Sequence, residues 1–571
     1  MKIFVTLFLF ILSIYKSKCQ SIAGQYHIVI DEIMVDPSPP VGLPNNKWIE
    51  LKNTSTSPIS VQGWKIGNAS GVSGILPAFI LLPDSFLIVC SNSSVAAMSV
   101  YGSVVGVSNF PSLNITGENL YLLSPQNKVI HSISYSNGWY QNPLKKDGGW
   151  ALEMIDTRNP CNGINNWKAS IDISGGSPGK INSVNGVNAD RVSPKLLRAY
   201  AADSESILLV FDEPLDSAKA ASTTNYNISD GIGSPQSATA IVPAFDRVSL
   251  KLSTPLSNNK IYTITASALV DCAGNSSTGK TARVGISEVA DSFDLVINEI
   301  LFNPLSNSTD YVELYNRGKK IIDLKQTHIA NRNSSNAISN IRQLSTESHL
   351  LFPGDFIVIT ESAAQVRAAY IAQNLDGFIE ISGMPSFNND KGNVIVLNGQ
   401  GNITDELNYS EKWHFELIDN REGVSLERIE YNAATQLKDN WHSAATSAGY
   451  GTPTFKNSQY RINDGVAGEV KLSPEIVSPD NDGQDDYATV DYKFPEGGYI
   501  ANITIFDAQG RVVRYLQRNS LCGVSGSFRW DGLGEKGQRL AIGVYIVFTD
   551  VFNLSGRRKQ FKTAIVLARR S

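Results

Sequence analysis

A long pattern occurs twice in this chain, and that duplication constrains the fold more than any other feature. The first copy opens with IVIDEI at 28–33, and the second opens with LVINEI at 295–300. Each continues into a second strand-like segment, WIELKN at 48–53 and YVELYN at 311–316. A repeat of about 150 residues is too long for a solenoid unit and indicates a duplicated domain.

The two copies also end alike, and their motifs follow one another in the same order. The matching pairs are Leu152-Glu153 with Leu426-Glu427, Asn166-Trp167 with Asn440-Trp441, and Ser177-Pro178 with Thr452-Pro453. The spacing between the pairs drifts along the chain, so only loop lengths differ. The chain is therefore predicted to be modular, and modular all-β chains outside the cell usually bind, space or display other molecules.

Length and composition favour several β-rich domains. A chain of 571 residues predicts roughly three to five domains. Short runs of Val and Ile separated by turn formers are typical of β-sandwiches. The formal net charge of −5 leaves no large positive field for a nucleic acid, so we expect no nucleic-acid partner.

The first residues read as a targeting segment. Lys2 precedes the apolar run Ile3–Ile14, and small residues follow, which predicts a secretory signal peptide over residues 1–19. A lipoprotein reading of Cys19 is the alternative, although Lys18 is unfavourable directly before a lipidated cysteine. No later stretch approaches the roughly 20 apolar residues of a membrane span. We expect a protein that is secreted or held at the outer cell surface.

Four cysteines remain after the signal peptide, namely Cys90, Cys161, Cys272 and Cys522. Only Cys90 and Cys161 share a predicted domain, so we expect at most one local disulfide. The wide spacing excludes both a disulfide framework and a cysteine-based zinc site. The domains are therefore expected to be held together by their apolar cores.

The two copies resemble a known family. The first copy contains GWKI at 63–66, the turn Leu82-Pro83 before FLIV at 86–89, and GENLYL at 117–122. The second contains the matching segments LFPGDFIV at 351–358 and GNVIVL at 392–397. These motifs resemble the lamin-tail domain, an Ig-like β-sandwich of nuclear lamins and of many secreted bacterial proteins. The resemblance places the domains, called here the first copy and the second copy, at 25–185 and 292–460.

A different module is predicted between the two copies, at 190–288, and is called here the central module. Its segments ILLVFDEPL at 207–215 and DCAGN at 271–275 resemble the bacterial Ig-like domains of surface proteins. The glycine in DCAGN suits a turn that requires a positive φ.

The last predicted module covers 465–571 and is called here the C-terminal module. It contains VSPDNDG at 477–483, WDG at 530–532 and AIVL at 564–567. This order resembles hook-cap-type Ig-like modules and the type IX secretion sorting modules of Bacteroidetes-like bacteria. The predicted fold is thus all-β, with four tandem Ig-like β-sandwich modules after a signal peptide.

No catalytic motif accompanies these modules. The six histidines are scattered and form neither a zinc-binding HExxH nor a partner to a serine or cysteine motif. We therefore predict that the chain is not an enzyme and needs no cofactor. A site assembled from scattered carboxylates is the alternative.

Both copies carry a pair of glutamates that could act as an acid and a base, Glu32 with Glu50 and Glu299 with Glu313. Strand alternation places them on the face opposite the core residues. On an outer face or rim we expect carboxylates to accept strand-edge hydrogen bonds or to face water. A ligand or metal role is the competing reading.

The best local metal motif is DNDGQDD at 480–486. Oxygen side chains at alternating positions around a glycine turn are what Ca²⁺ requires. The motif has two readings: a metal-free Asx-type turn leading into a strand, or, as a hypothesis, a structural Ca²⁺ bound by Asp480, Asp482 and Asp486.

Two further features have both a structural and a functional reading. Five tryptophans could stack on sugars or pack in cores, namely Trp48, Trp64, Trp150, Trp167 and Trp441. Six basic residues near the end could form a solvated face or be recognised by a secretion machine, namely Arg557, Arg558, Lys559, Lys562, Arg569 and Arg570.

The sequence predicts a secreted, non-catalytic surface protein for adhesion or structural presentation, exported or anchored through its C-terminal module. Expected partners are an extracellular polysaccharide or a surface protein, together with the secretion machinery. One alternative is a carbohydrate-binding component of a polysaccharide-capturing system, and another is an extracellular hydrolase.

Overall fold

The computed structural model describes residues 23–460, 468–554 and 557–569. The predicted signal peptide and Arg570 lie outside these ranges. The chain divides into two compact units, the first ending at Gly285 and the second beginning at Ile286. Within the described ranges, no helix is long and apolar enough to cross a membrane.

The first copy consists of short strands that pair into two main sheets. Its elements are β1 (Ile28–Met34), β2 (Trp48–Asn53), β3 (Ile59–Ser60), β4 (Lys65–Asn68), β5 (Gly71–Val72), β6 (Ile80–Leu81), β7 (Phe86–Ser91), α1 (Val95–Met98), β8 (Val104–Val107), β9 (Gly117–Leu123), β10 (Val129–Ser136), β11 (Leu152–Met154) and β12 (Trp167–Ala169). The larger sheet has the order β12-β11-β1-β2-β7-β8, and the smaller has the order β10-β9-β4-β5. Strands β3 and β6 pair separately.

The central module has a four-stranded and a three-stranded sheet. Its elements are β13 (Leu196–Asp203), β14 (Ser206–Phe211), α2 (Ser217–Ala220), β15 (Tyr226–Ile228), β16 (Ser237–Ala240), β17 (Arg247–Lys251), β18 (Tyr262–Ala266) and β19 (Lys280–Val284). The strand orders are β13-β14-β17-β16 and β15-β18-β19.

The second copy repeats the topology of the first, strand for strand. Its elements are β20 (Leu295–Leu301), β21 (Tyr311–Asn316), β22 (Ile322–Asp323), β23 (His328–Arg332), β24 (Ile338–Gln343), β25 (Leu350–Leu351), β26 (Phe356–Thr360), α3 (Ala363–Ala369), β27 (Phe378–Glu380), β28 (Lys391–Leu397), β29 (Ile403–Ser410), β30 (Leu426–Arg428) and β31 (Trp441–Ser443). The sheets have the orders β27-β26-β21-β20-β30-β31 and β24-β23-β28-β29, and β22 pairs with β25. Both six-stranded sheets end in one parallel pair, β7 with β8 and β26 with β27.

The C-terminal module contains longer strands. They are β32 (Glu469–Ser473), β33 (Ile476–Val477), β34 (Ala488–Lys493), β35 (Tyr499–Asp507), β36 (Val512–Cys522), β37 (Ser525–Trp530), β38 (Gly543–Asn553) and β39 (Arg558–Leu567). They form the sheets β32-β34-β37 and β33-β39-β38-β35-β36. The predicted all-β, Ig-like fold class is confirmed.

Burial along the strands explains how the sheets pack. In β34, Ala488, Val490 and Tyr492 are buried while the residues between them are not, as expected for a strand with one face on a core. Strands β1 and β20 instead are buried at every position. Both faces of these two strands are therefore covered, although they lie in antiparallel pairings that commonly leave one face in water.

The disulfide prediction was wrong about the partner. Cys161 of the first copy is bonded to Cys272 of the central module, whereas Cys90 and Cys522 are buried free thiols. Cys90 lies within strand β7, in a small apolar cluster with Trp48 and Met98. Sequence distance suggested a bond within one domain, but the loop after β11 meets the DCAGN turn of the neighbouring module.

We expect the bond between Cys161 and Cys272 to stabilise the first unit. The double variant Cys161→Ser/Cys272→Ser should lower its free energy of unfolding by about 2–5 kcal/mol, because the crosslink restricts the unfolded chain. Thermal unfolding with and without dithiothreitol measures this. The wild type should lose stability in reductant, the double variant should not respond, and a Cys522→Ala control should respond like the wild type. A wild type indifferent to reductant would contradict the prediction.

Candidate functional site

Each copy buries three glutamates side by side across its larger sheet. In the first copy Glu32 lies opposite both Glu50 and Glu153. In the second copy Glu299 lies opposite both Glu313 and Glu427. We call these the first carboxylate row (Glu32, Glu50, Glu153) and the second carboxylate row (Glu299, Glu313, Glu427). All six residues are 0% exposed.

The expectation that these carboxylates face water is therefore wrong. They do accept hydrogen bonds, as the other reading expected, but the donors lie on a loop and not at a strand edge. Alternation placed Glu32 and Glu50 correctly on the face away from the main core, which contains Ile33, Ile49 and Leu51. That outer face is covered by the chain that follows the last strand of the copy. We call these the first covering segment (176–184) and the second covering segment (451–459).

The first covering segment donates hydrogen bonds to every glutamate beneath it. The Ser177 amide donates to Glu32 at 2.8 Å, and the Ser177 hydroxyl donates to Glu153 at 2.8 Å. The Gly179 amide donates to Glu50. Glu153 also accepts from the Ser183 hydroxyl and the Val184 amide. The row thus satisfies backbone amides of a segment that has no strand partner. This is how a loop can be buried without leaving its polar groups unpaired.

The second covering segment is held in the same way. The Thr452 amide and hydroxyl donate to Glu299 at 2.9 and 3.0 Å, and the hydroxyl also contacts Glu427 at 2.8 Å. The Thr454 amide donates to Glu313. Glu427 also accepts from the Ser458 hydroxyl and the Gln459 amide. The repeated Ser177-Pro178 and Thr452-Pro453 motifs mark these attachment points in the sequence. Their role became visible only when the structure placed them on the glutamates.

Burial changes the protonation of these groups. It raises the pKa of Glu32, Glu50 and Glu313 well above the ordinary value, with neighbouring carboxylates adding to the effect. Burial also raises the pKa of Asp31, next to Glu32, to about 7. Such shifts are typical of catalytic acids, but here the oxygens face loop amides under a closed cover. The arrangement fastens the covering segment to the sheet.

The predicted Ca²⁺ ligands lie together at the start of the C-terminal module. One carboxylate oxygen each from Asp480, Asp482 and Asp486 falls within 4.8 Å of the others. Asp486 also accepts hydrogen bonds from the amides of residues 480, 481 and 483. Asp480 and Asp482 accept hydrogen bonds from amides of the same loop as well, those of residues 482 and 484. These hydrogen bonds order the loop, and the binding of Ca²⁺ stays a prediction.

The structure brings together a second acidic group that no sequence motif predicted. Asp190, Glu213 and Asp271 also bring oxygens within 4.8 Å of one another, next to the disulfide at Cys272. Burial, and then the charge of Asp271, raise the pKa of Glu213 to about 8. Two of these residues belong to the FDEPL and DCAGN motifs, which were noticed only as family motifs because nothing in the sequence shows that they meet.

The tryptophans belong to cores rather than to a sugar platform. Four of the five are buried, namely Trp48, Trp64, Trp167 and Trp441. Trp150 is partly buried, and the Lys145 ammonium lies 3.9 Å from its ring centre. The core-packing reading is thus supported for the four buried tryptophans.

The second copy carries a stack of partly buried rings. Tyr315 lies 4.7 Å from Phe356 and 4.1 Å from Tyr431, and Tyr431 lies 4.4 Å from Tyr460, measured between ring centres. The interplanar angles of 29–33° mean that the faces of Tyr315 and Tyr431 are occupied by other rings. Stacking on a sugar requires a free ring face, so the inner rings of this stack do not provide one.

The basic residues near the end lie on and beside strand β39. Arg558 pairs with Asp550 at 2.8 Å and Arg557 pairs with Glu496 at 3.1 Å. Lys559 and Lys562 are exposed. These positions agree with a solvated face, and recognition by a secretion machine stays a prediction.

Family models match three parts of the chain. The Lamin Tail Domain model matches residues 22–137 and 288–411, and the Bacterial Ig-like domain model matches residues 185–293. The chain is a multidomain Ig-like protein. Both copies and the central module match the families that their motifs resemble. The C-terminal module lies outside these matches, so its likeness to sorting modules stays a prediction.

Several solved structures match at low identity. The N-terminal part of the bacterial S-layer protein SbsC is 19% identical with a TM-score of 0.16, and the match covers 38% of this chain and only 44% of that one. A DUF4876 family protein from Bacteroides thetaiotaomicron is 10% identical (TM-score 0.20; 38% and 91% covered). A Ca²⁺-stabilized adhesin of an Antarctic bacterium is 9% identical (TM-score 0.11; 96% and 100% covered). TM-scores this low carry no argument about function. No curated protein matches the chain.

We expect the attachment of the second covering segment to contribute measurably to stability. Thr452→Val removes the hydroxyl shared by Glu299 and Glu427, and leaving buried carboxylate oxygens without that donor should cost about 1–3 kcal/mol. Chemical denaturation followed by tryptophan fluorescence measures the loss. The control is Thr346→Val, because Thr346 is exposed. Equal stability of the two variants would contradict a fastening role.

Proposed function

We propose that this chain is a secreted, non-catalytic cell-surface protein that serves adhesion or structural presentation. The observation that carries the proposal is the disulfide between Cys161 and Cys272, which joins the first copy to the central module. Disulfides persist in oxidising environments outside the cytoplasm. A crosslink between modules also limits bending at their junction, which suits a protein that holds a binding surface away from its anchor.

The second unit supports the same proposal with a different kind of junction. Phe415 of the second copy packs with Ile500 and Leu521 of the C-terminal module in one buried apolar cluster. The Val524 amide donates to the carbonyl of Ser458 at 2.9 Å. The C-terminal module is therefore packed against its neighbour instead of being tethered loosely beside it.

The proposal includes the division of the chain and its partners. The mature protein would comprise lamin-tail modules at 25–185 and 292–460, an Ig-like module at 190–288 and a sorting or anchoring module at 465–571. Its partners would be an extracellular polysaccharide or a surface protein, and the secretion machinery. Loop tips and sheet edges are the surfaces on which such modules usually bind.

Neither alternative function gains an observation of its own. A carbohydrate-binding component would be favoured by a row of open ring faces, whereas the tryptophans at Trp48, Trp64, Trp167 and Trp441 are buried. A hydrolase would be favoured by an open cleft with convergent carboxylates. The two carboxylate rows converge, but they are closed under the covering segments.

We also propose that Asp480, Asp482 and Asp486 hold a structural Ca²⁺. The nearness of their oxygens supports this, since Ca²⁺ collects several carboxylate oxygens at once. Millimolar Ca²⁺ should raise the melting temperature of the wild type, and Asp482→Ala should lose that response. An Asp439→Ala variant, which changes an exposed acid outside the group, serves as the control. A wild type that ignores Ca²⁺ would overturn the proposal.

The export role is tested in the native host by cell fractionation. Deleting residues 465–571 should move the protein from the surface or medium to the periplasm. Because that deletion also uncovers Phe415, a reporter fused to residues 465–571 is needed alongside it, and the fusion should reach the surface. An unchanged location of the deleted chain, or a fusion retained in the periplasm, would contradict sorting through this module.

A further inference from the structure

The two carboxylate rows differ at one position that decides how each covering segment is held. A β-bulge precedes the first glutamate of each row, and the bulged residue is Asp31 in the first copy and Asn298 in the second. Both side chains are buried, with exposures of 1% and 0%. An acid therefore occupies a place in one copy that a neutral amide occupies in the other.

In the second copy the amide joins the sheet to the covering segment. The Asn298 Nδ2 atom donates to Glu313 Oε1 at 2.7 Å and to Asn457 Oδ1 at 2.7 Å. Asn457 in turn donates to the carbonyl oxygens of Asn298 and Arg428, each at 2.9 Å. Every polar atom in this connection has a partner of the opposite kind.

The first copy has the equivalent hydrogen bonds from the covering segment, but they surround Asp31 instead of an asparagine. Asn182 donates to the carbonyl oxygens of Asp31 at 3.0 Å and Met154 at 2.9 Å, as Asn457 does in the second copy. The Gly179 amide donates to Glu50 Oε2, as the Thr454 amide donates to Glu313 Oε2. The side-chain oxygens of residues 31, 50 and 182 are thereby held where the second copy has its amide connection.

In the first copy these oxygens lack donors. Asp31 Oδ1, Glu50 Oε1 and Asn182 Oδ1 are each buried without a hydrogen-bond partner anywhere in the described ranges. Three acceptors in one dry place repel one another, and each loses the hydration it would have in the unfolded chain. These oxygens can be buried together only if a proton or a cation lies between them.

The neighbouring charges supply this positive charge only in part: burial raises the pKa of Asp31, and the charge of Lys52 lowers it by less. Glu50 and Lys52 approach from β2, Glu32 lies beside Asp31 on β1, and Glu153 approaches from β11. The Lys52 ammonium lies 5.3 Å from the ring centre of Phe86 and contacts the Thr157 hydroxyl at 3.4 Å. On the covering segment, Lys180 pairs with Asp172 at 2.7 Å. Acids therefore outnumber bases around Asp31.

Spacing decides between a proton and a metal ion. In the second copy the Asn298 Nδ2 atom lies 2.7 Å from both Glu313 Oε1 and Asn457 Oδ1, which is a hydrogen-bond distance. A Ca²⁺ ion would need six to eight oxygens at about 2.3–2.6 Å from its own centre. Asp31 occupies the place of Asn298, and Glu50 occupies that of Glu313. A hydrogen shared by Asp31 and Glu50 would therefore stand where the amide hydrogen stands in the second copy.

We propose that Asp31 and Glu50 share one proton, which fastens the first covering segment in a pH-dependent way, whereas the amide of Asn298 makes the second fastening independent of pH. Burial raises the pKa of Asp31 from 3.8 to about 7. The folded-state pKa of Asp31 lies above the unfolded value, and that of Glu50 does so as well. The stabilisation is therefore complete below about pH 4 and is lost as the pH rises through the raised pKa of the pair. The first covering segment should loosen as the pH rises from acidic to mildly alkaline.

The test exchanges the two residues, so that each copy serves as the control for the other. Amide hydrogen exchange of the full chain, read by mass spectrometry as protection factors at pH 5 and pH 8, reports both covering segments in one experiment. In the wild type, residues 176–184 should lose at least tenfold more protection than residues 451–459. Asp31→Asn should remove that excess loss, and Asn298→Asp should create one at 451–459.

Two results would overturn the proposal. One is an excess loss at 176–184 that persists in Asp31→Asn while Asn298→Asp leaves 451–459 unchanged. The other is a melting temperature at pH 8 that rises with Ca²⁺ or Mg²⁺ in the wild type and not in Asp31→Asn, which would assign the place to a metal ion. If Asp31→Asn failed to fold, the Asn298→Asp variant would decide the question alone.

Discussion

The fastening of a covering segment onto buried carboxylates is the interaction on which the rest of each copy depends. Glu32 and Glu299 lie at the centre of their rows, and the amides of Ser177 and Thr452 attach to them. This contact covers the outer face of the larger sheet, so that β1 and β20 are buried on both faces. Buried carboxylates are costly unless their oxygens find donors. The segment donates at least one hydrogen bond to each glutamate of the row. The same bonds satisfy amides of the segment that have no strand partner.

Neighbouring modules are joined by different interactions in the two compact units. In the first unit a covalent bond connects Cys161 to Cys272, next to the acidic group of Asp190, Glu213 and Asp271. In the second unit an apolar cluster around Phe415 buries the contact between the second copy and the C-terminal module. A disulfide constrains the unfolded chain, whereas apolar burial stabilises the folded one. Both keep neighbouring modules in contact.

The two copies share one topology, but equivalent backbone groups have different hydrogen-bond partners in each copy. The amide of the third residue in the opening strand donates to His131 Nδ1 in the first copy, at 2.9 Å, and to Asp405 in the second, at 2.8 Å. Asp405 is paired with the buried Arg428 at 3.0 Å. The acid at Asp31 has a neutral counterpart at Asn298. Charge has thus been redistributed around each row while the backbone frame has stayed the same.

The sequence by itself determined the duplication and the all-β class, because strand alternation and turn residues are local properties of the chain. Its motifs also resembled the families whose models match both copies and the central module. It also placed Glu32 and Glu50 on the face away from the core, and it marked Ser177 and Thr452 as equivalent. Only the tertiary structure decided that this face is covered, that Cys161 reaches Cys272, and that Asp190, Glu213 and Asp271 converge. These contacts join residues far apart in sequence, and no local pattern records which distant loop lands on which face.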